Sequence, residues 1–574
     1  MHWLTVLAAV VLLVITSTIY STRRDTPGLA NFTEATKQLA QAPAKPHIFF
    51  IVGDDIGWND VGWRNPDMKT PNLDKLAKDG VKLNHYYTYP TCSPSRAAFL
   101  TGYYSHRLGL QHRVIEEHQS KHIPLNVPLI SEKLRDLGYA THAVGKWHLG
   151  HCNWNYTATH RGFDSFFGYR FATEDYYTHL ERGFYELWEN DEPFFDKNKT
   201  YSTDLFAERA LGIINAHVEE KSPKPLYMYL AFQAIHGPTQ ETPKDYRVFT
   251  PKNINENVRK VTTHTLYAMD VAIGKIVRLL KEGGIYDNSL IIYTSDNGGA
   301  VANGGNNQPL RGGKFTLWEG GARVAAMVHG AMIQNPGRSF DGLFHATDWF
   351  PTLLTAVGSP WKHDIAPSYD GIDQWETIKT GGTSLRSRRD EIVYSIDPRG
   401  SAIRVGDYKL ILGDPIGNVW ERRVGKGAGS CIYSPDLSFS ATHCEVNLTS
   451  AMLFNVREDE SESHDLANVM PEVVKLLTGK LDSERQRRVP PQSERNYMKE
   501  MKPFIKNNVL YPGWSERCDK DDIESWSRRC PFRKFVRSFV AKYPWRSPWG
   551  RCSRGGCGCG CSCGCGCGCG RGRG

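Results

Sequence analysis

The chain has 574 residues, of which 40% are hydrophobic and 23% are charged, and its formal net charge is +8. This length exceeds what a single hydrophobic core requires, so at least two packed units are expected. The composition is ordinary for a globular protein and excludes a chain that is disordered along most of its length. A long apolar run occurs once, which excludes a polytopic membrane protein.

That apolar run, residues 3–20, lies at the N-terminus and is followed by Arg23 and Arg24. It predicts a secretory signal peptide over residues 1–22 and a polar leader over 23–45. The run is also close to the ~20 residues that span a bilayer, so an uncleaved signal anchor stays open. Thr and Ser near its end favour cleavage. In either case the rest of the chain enters the secretory pathway, and no other stable membrane span is expected.

Sequons and cysteines fit that compartment. Four Asn-x-Ser/Thr sequons are predicted glycosylation sites, namely Asn31, Asn155, Asn198 and Asn447. Two short-loop disulfides are compatible with an oxidising lumen, Cys431 with Cys444 and Cys518 with Cys530. Cys152 stands outside both pairs.

The C-terminal segment 511–574 is basic and ends in a low-complexity run of Gly, Cys, Arg and Ser. Such a composition cannot form a core. Its basic, aromatic-rich part favours long-range attraction of a polyanion, but a plain solvated tail is an equally good interpretation.

Between residues 46 and 374, short apolar runs alternate with amphipathic stretches. The runs predict strands buried on both faces, at 48–52, 139–144, 225–232 and 290–295. The amphipathic stretches predict helices, for example at 203–219 and 264–281. This alternation predicts an α/β fold with a large, mostly parallel sheet flanked by helices.

Between residues 375 and 510 the pattern changes to shorter β-like runs, at 392–396, 402–413 and 451–456, followed by a helix at 471–487. We interpret this region as a smaller C-terminal domain with an antiparallel sheet that packs on the larger domain, 46–374.

Polar residues follow each predicted strand of the larger domain. Asp54 and Asp55 follow the first run, and Asp296 and Asn297 follow the last. In open α/β sheets, ligands sit at this edge. Taken singly, each pair is more typical of a turn or a helix cap. Taken together, three carboxylates and one amide oxygen favour a site for Ca²⁺ or Mg²⁺.

The same edge collects cationic and acid-base side chains, namely Lys146, His148, His236 and Lys314. Each one alone is more typical of an ordinary surface residue. Two lysines beside a divalent cation would neutralise a tetrahedral oxyanion, and a histidine can protonate a departing alkoxide. The group therefore indicates transfer of a sulfuryl or a phosphoryl group.

The segment Cys92-Ser93-Pro94-Ser95-Arg96 lies between a strand-like run at 81–87 and a helix expected to begin near Pro94, and it leads into Leu100-Thr101-Gly102. This pattern resembles the signature of type I sulfatases, whose cysteine is oxidised to formylglycine in the endoplasmic reticulum. A bare Cys-x-Pro-x-Arg would be a weak signal, and its alternative interpretation is a disulfide cysteine at a turn before a helix.

The resemblance extends over most of residues 46–490 and is greatest to the arylsulfatase B, I and J group. Further matching segments are Gly145-Lys146-Trp147-His148-Leu149-Gly150, Arg161-Gly162-Phe163-Asp164, Ser295-Asp296-Asn297-Gly298-Gly299 and Asp370-Gly371-Ile372-Asp373. The resemblance implies an alkaline-phosphatase-like fold and a sulfuric ester hydrolase.

The resemblance also implies a role for each site residue. It implies one Ca²⁺ ion held by Asp54, Asp55, Asp296, Asn297 and an oxygen of modified Cys92. It implies that Arg96 and His148 hold the formylglycine hydrate. Lys146 and Lys314 are the implied sulfate-binding cations, and His236 is the implied acid for the leaving group.

The chemistry explains why such an enzyme needs an aldehyde. A serine that attacked sulfur would remain as a stable sulfate ester. A hydrated aldehyde attacks through one hydroxyl, and deprotonation of the other expels sulfate and restores the aldehyde.

Two other functions stay open at this point. One is a phosphoester or phosphonate hydrolase on the same metal edge, which would need a second set of metal ligands that we do not find in the sequence. The other is a glycan-binding protein without activity, although Cys92, Lys146, His148, His236, Asp296 and Lys314 are all present.

The implied partners are a sulfated glycan or aryl sulfate substrate and, during biosynthesis, the formylglycine-generating enzyme. The implied glycan is N-acetylgalactosamine 4-sulfate in chondroitin or dermatan sulfate. No nucleic acid partner is expected. The expected location is the lysosome or the extracellular space.

Overall fold

The computed structural model describes nine stretches of the chain, residues 45–111, 113–196, 199–249, 257–359, 369–381, 387–397, 400–415, 451–492 and 496–514. Several sequence predictions lie outside them: the signal peptide, the leader up to residue 44, the tail from 515, three of the sequons (Asn31, Asn198 and Asn447) and both candidate disulfides. Asn155 is described, and it is exposed.

A ten-stranded sheet dominates the described residues. Its strand order is β12-β2-β11-β10-β1-β9-β3-β4-β7-β8. In chain order the strands are β1 (His47–Gly53), β2 (Val81–Tyr87), β3 (Ala140–Lys146), β4 (Ser165–Tyr169), β7 (Trp188–Glu189), β8 (Glu192–Pro193), β9 (Leu226–Ala231), β10 (Ser289–Ser295), β11 (Ala326–Gly330) and β12 (Arg338–His345). A separate hairpin pairs β5 (Leu180–Glu181) with β6 (Phe184–Tyr185).

Strand β1 forms the centre of this sheet. It pairs in parallel with β9 on one side and with β10 on the other, and all seven of its residues are buried. A strand covered on both faces needs a continuous apolar sequence, which is why the run at 48–52 predicts it. Strands β3 and β4 continue the parallel part, whereas β11 and β7 pair antiparallel with their neighbours. The predicted large, mostly parallel sheet is confirmed.

The helices cover the faces of the sheet. In chain order they are α1 (Pro71–Lys78), α2 (Cys92–Thr101), α3 (Ile130–Asp136), α4 (Ser202–Glu219), α5 (Asn257–Glu282), α6 (Glu319–Ala322), α7 (Trp349–Ala356), α8 (Trp375–Thr380), α9 (Pro471–Gln486) and α10 (Met498–Met501). The apolar faces of α4 and α5 belong to the same buried core as β1. On β1, the Phe50 ring packs against Phe99 of α2 and Trp349 of α7.

Helix α5 begins seven residues earlier than the sequence predicts. Its first turns contain Thr262, Thr263 and Thr265, and β-branched residues lower intrinsic helix propensity. The hydroxyls of Thr262 and Thr265 donate to carbonyls four residues earlier, those of Val258 and Val261. All three threonines are buried, and the Thr262 hydroxyl also lies 2.8 Å from the Asn303 carbonyl oxygen. Tertiary packing therefore extends the helix through a sequence that is not a strong helix former.

A smaller antiparallel sheet follows, as predicted. Its strands, in order, are β13 (Glu391–Ile396), β14 (Gly400–Val405), β15 (Tyr408–Gly413) and β16 (Ala451–Asn455). The single run predicted at 402–413 is a hairpin, because Gly406 turns the chain with a φ of 58° between β14 and β15.

Helix α9 follows the small sheet and buries Leu477 and Leu481 in the main core. The domain boundary at residue 374 stays a prediction.

A last short hairpin pairs β17 (Ile505–Lys506) with β18 (Val509–Leu510). Among the helices within the described residues, none has the length and apolar character needed to cross a membrane.

Candidate active site

The ends of four neighbouring strands bring the predicted site residues to one edge of the large sheet. Asp54 and Asp55 follow β1, Lys146 ends β3, and Asp296 follows β10. His236 lies five residues after β9. Because these strands are parallel neighbours, their carboxyl ends share one edge.

Cys92 is the first residue of α2 and is 1% exposed. Thr91 before it is extended, so the chain enters the helix directly at Cys92. The Sγ atom lies 3.8 Å from Asp54 Oδ1. Burial raises the pKa of the Cys92 thiol to about 12, against the opposing effect of Lys146. The thiol therefore keeps its proton at neutral pH.

Arg96, one turn further along α2, joins two of the strand ends. Its Nε donates to Asp296 Oδ2 at 2.9 Å, and its Nη2 lies 2.8 Å from the same oxygen. The same Nη2 is 3.5 Å from Asp54 Oδ2. All three side chains have no exposed surface. A buried carboxylate without such a partner would be strongly unfavourable.

The two lysines pair with the two aspartates that follow β1. Lys146 Nζ donates to Asp54 Oδ2 at 2.7 Å, and Lys314 Nζ lies 2.7 Å from Asp55 Oδ1. Burial by itself would raise the pKa of both aspartates, but the neighbouring cations outweigh it and lower the pKa of each. The carboxylates therefore stay ionised inside the protein.

Asp55 and His148 have an unusual backbone. Their φ angles are 63° and 55°, in the left-handed region that residues other than glycine rarely adopt. A residue held there costs on the order of 1 kcal/mol or more, and such residues cluster at functional sites.

The two histidines differ in exposure. His148 is 1% exposed, and its Nε2 lies 2.9 Å from the carbonyl oxygen of Ile115, to which it donates. Burial, reinforced by Lys146, lowers the pKa of His148 well below its usual value, so the ring is neutral and Nδ1 is an acceptor. That Nδ1 is buried and has no hydrogen-bond partner among the described residues.

The side chain of His236 is 16% exposed, so it lies at the mouth of the site. Its Nδ1 is 2.7 Å from the carbonyl oxygen of Gly237, and its Nε2 is 3.8 Å from Asp55 Oδ2. The first contact fixes the ring, because an N–H at Nδ1 donates to that carbonyl. Nε2 then faces the carboxylates. Burial lowers the pKa of His236.

Tyr176 is a residue of this site that sequence reasoning did not find. Its hydroxyl lies 3.1 Å from the carbonyl oxygen of Gln233 and 3.0 Å from that of His236, so its single proton is shared between these two acceptors. It thereby holds the turn that carries His236. Tyr176 is part of no recognisable motif, and the contact spans about sixty residues of sequence, so no sequence signal marks it.

The carboxylate and amide groups fit a hard divalent cation. Ligand atoms of Asp54, Asp55, Cys92 and His236 lie within 4.8 Å of one another. Asp55 Oδ2 and Asn297 Oδ1 are buried and accept no hydrogen bond from the described residues. Oxygen donors of this kind suit Ca²⁺ or Mg²⁺. Asp296 Oδ1 also accepts from the Asp55 amide at 3.2 Å, and its Oδ2 is engaged by Arg96.

Comparison with known proteins assigns the family. Residues 46–359 match the sulfatase family, so the chain belongs to it and is a sulfuric ester hydrolase. It is 39% identical to mouse arylsulfatase J, over 83% of this chain and 82% of the relative. It is 30% identical to mouse N-acetylgalactosamine-6-sulfatase, over 75% of this chain and 83% of that protein.

A solved structure agrees with this assignment. The crystal structure of Ps i-CgsB in complex with k-i-k-neocarrahexaose superposes with a TM-score of 0.66 at 26% identity, over 85% of this chain and all of that one. The expected alkaline-phosphatase-like sulfatase fold is therefore confirmed.

The site generates a prediction on metal binding. We expect Ca²⁺ to raise the thermal unfolding midpoint of the wild type, since a ligand at 100 times its Kd stabilises the folded state by about 2.7 kcal/mol. We expect Asp54→Asn to lose this response, because it removes one anionic oxygen donor while keeping the side-chain shape. Differential scanning fluorimetry with and without Ca²⁺ measures both.

The matched control is Asp270→Asn, which changes a fully buried carboxylate that bonds to Asn72 and Leu73. We expect Asp270→Asn to keep the Ca²⁺ response of the wild type. An equal response in Asp54→Asn and in the wild type would contradict a metal site at Asp54.

Proposed function

We propose that this sulfatase removes sulfate from glycans with a formylglycine made from Cys92 and one bound Ca²⁺ ion. The observation that carries the proposal is the convergence of Cys92 with three buried carboxylates and three buried cations at one sheet edge. Preorganised charge of this density is what transfer of a sulfuryl group requires, because charge develops on oxygen in the transition state.

The state of Cys92 argues against an unmodified thiol as the nucleophile. A thiol with a pKa of about 12 is a poor nucleophile at neutral pH, because the thiolate is the reactive form. Formylglycine, when present as its hydrate, supplies one hydroxyl that attacks sulfur and a second whose deprotonation releases sulfate. Its formation makes the formylglycine-generating enzyme a partner of this chain during biosynthesis.

Arg96 and His148 are the residues that would hold the hydrate. The unpartnered Nδ1 of His148 is a buried acceptor suited to a hydroxyl hydrogen. Arg96 lies one turn further along the same helix, and its positive charge interacts with residue 92. The hydrogen bond from Nε2 to the Ile115 carbonyl fixes the direction of the His148 ring.

Asp54, Asp55, Asp296, Asn297 and residue 92 would hold the Ca²⁺ ion, which supplies positive charge next to the sulfate. With the carboxylates committed to the metal, the ammonium groups of Lys146 and Lys314 are available to the sulfate oxygens. Both lysines are at most 6% exposed, so their charges act in a poorly solvated site.

His236 is the proposed acid for the leaving group. It is partly exposed at the mouth of the site, where the rest of the substrate enters, and Nε2 faces inwards. A protonated ring donates from Nδ1 to Gly237 and delivers the Nε2 proton to the departing oxygen.

The proposed substrate is a sulfated glycan such as N-acetylgalactosamine 4-sulfate in chondroitin or dermatan sulfate. Two observations support the class of sulfated glycans: one relative is named N-acetylgalactosamine-6-sulfatase, and one solved relative is in complex with k-i-k-neocarrahexaose. The N-terminal apolar run and the exposed sequon at Asn155 support a lysosomal or extracellular location.

Release of inorganic sulfate tests the reaction. We expect the purified enzyme to release sulfate from nitrophenyl sulfate much faster than phosphate from nitrophenyl phosphate. A panel of sulfated disaccharides that differ only in the sulfate position then identifies the natural linkage. Faster release of phosphate would instead support a phosphoester hydrolase, and binding of the disaccharides without any turnover would support a glycan-binding protein.

The acid role of His236 predicts a dependence on the leaving group. We expect His236→Ala to lower kcat on a sugar sulfate by about 10²-fold or more, since general acids contribute that much. On nitrophenyl sulfate, whose phenolate needs little protonation, the loss is smaller than tenfold.

The control is His160→Ala, which removes a partly exposed histidine near Asp191 and leaves both activities intact. Equal losses on the two substrates in His236→Ala would show that His236 positions sulfate and does not protonate the leaving group.

A further inference from the structure

A second cluster of buried charge lies between the large sheet and the small one. It consists of Tyr87, Glu319, Tyr394, Lys409 and Glu462, and we call it the Glu319 cluster. All five residues have no exposed surface. The roles proposed above use none of them, so the burial of three ionisable groups here needs another reason.

Glu319 is the centre of this cluster. Its Oε1 is 3.1 Å from Lys409 Nζ and accepts from the Tyr394 hydroxyl at 2.5 Å. Its Oε2 accepts from the Tyr87 hydroxyl at 2.8 Å. Both carboxylate oxygens are thereby held, two of the three contacts coming from the small sheet, where Tyr394 lies in β13 and Lys409 in β15.

Glu462 completes the cluster from the chain that follows β16. Its Oε2 accepts from the backbone amide of Glu319 at 2.7 Å, and its Oε1 is 2.8 Å from Lys409 Nζ. Its own carbonyl accepts from Arg311 at 3.2 Å. Lys409 therefore lies between the carboxylates of Glu319 and Glu462, and Glu462 also accepts from the Glu319 amide.

Glu319 begins α6, and α6 touches the backbone of three segments that carry site residues. The Gly321 carbonyl accepts from the amide of Gly298, next to Asn297, at 2.9 Å. The Ala322 carbonyl accepts from the amide of Thr88, four residues before Cys92, at 2.8 Å.

The third segment is the one that carries Lys314. The amide of Gly320 donates to the Arg311 carbonyl at 2.8 Å, and the amide of Lys314 donates to the Gly299 carbonyl at 3.2 Å. The chain from 311 to 322 therefore bonds to the site segment at Gly299 through Lys314, and it contacts the small sheet through Glu319.

Packing leaves α6 little room to move. A Cβ built on Gly298 would lie 1.8 Å from the Gly320 carbonyl oxygen, and one built on Gly321 would lie 2.1 Å from the Thr316 carbonyl oxygen. Contacts this close admit only glycine, so a shift of α6 moves the backbone at Asn297 and Lys314 with it.

We propose that Lys409 and Glu462 are positioning residues for the active site, which act through Glu319 and α6 on the backbone that carries Lys314 and Asn297. This inference rests on the roles proposed above for those two residues. The small sheet then contributes to the active site indirectly, because it supplies the ammonium group that holds Glu319 in place.

Removal of Lys409 takes away the ammonium group that pairs directly with both Glu319 and Glu462, which is unfavourable in a buried site. In Lys409→Met we expect kcat/KM on nitrophenyl sulfate to fall at least tenfold, with a higher KM because Lys314 is displaced. We also expect faster hydrogen exchange of the amides in 311–316, while those of β9 remain protected. Peptide mass spectrometry checks that residue 92 carries the same modification as in the wild type.

The matched control is Lys480→Met. Lys480 also pairs with a carboxylate of the small sheet, Glu391, at 2.7 Å, but it is 40% exposed, and within the described part of the chain this pair lies outside the Glu319 cluster. We expect Lys480→Met to leave kcat/KM and hydrogen exchange in 311–316 as in the wild type.

A second variant, Glu462→Gln, keeps an acceptor for the Glu319 amide and removes one ionisable group. If Lys409→Met fails to fold, Glu462→Gln is measured in its place, with the same two expected effects.

A variant that lowers the unfolding temperature but leaves exchange in 311–316 and kcat/KM unchanged overturns the inference, as does an equal effect of Lys480→Met. The exchange measurement needs no activity. If the wild type released no sulfate, the proposed function would fail, and exchange in 311–316 would still decide whether the Glu319 cluster positions this segment.

Discussion

Three carboxylates at the end of two central strands impose the constraint on which the rest of the site depends. Asp54, Asp55 and Asp296 are at most 1% exposed, so each needs a positive partner inside the protein. Arg96 connects two of them, and a lysine pairs with each of the two that follow β1. These ion pairs hold α2, β3 and the segment at 314 at one edge of the sheet. The same charged groups are those that would bind a metal ion and a sulfate.

The two sheets contribute differently to this arrangement. The large sheet places residues at the ends of neighbouring parallel strands, which is a direct result of its topology. The small sheet places no proposed ligand or acid in the site. Its Lys409 instead meets Glu319 at the start of α6, whose backbone bonds to the segments around Gly298 and Arg311. The positions of the site residues therefore depend on two sets of buried ion pairs, one at the edge of the large sheet and one in the Glu319 cluster.

Much of the fold could be predicted from the sequence, for physical reasons. A strand covered on both faces must be apolar throughout, which made β1 and β10 visible as runs. Helix α5 was predicted too short because its threonine-rich start has weak intrinsic helicity and is held by packing. The β14–β15 hairpin was predicted as a single run because the turn at Gly406 interrupts it only briefly.

Among site residues, those at strand ends could be predicted because their position follows from the strand pattern. Tyr176 and Lys409 could not, since their importance comes from contacts with residues about sixty and ninety positions away. Such contacts exist only in the folded chain, and a single tyrosine or lysine in a strand or loop carries no signal of them.

The central claim is that residue 92 acts as a formylglycine within this buried charge cluster. Peptide mass spectrometry of active protein, made in cells that contain the modifying enzyme, tests it most directly. We expect the peptide that spans residue 92 to carry an aldehyde that reacts with a hydrazide, and Cys92→Ser to lose turnover while keeping the fold. An active preparation in which residue 92 is found only as an unmodified or disulfide-bonded cysteine would contradict the account.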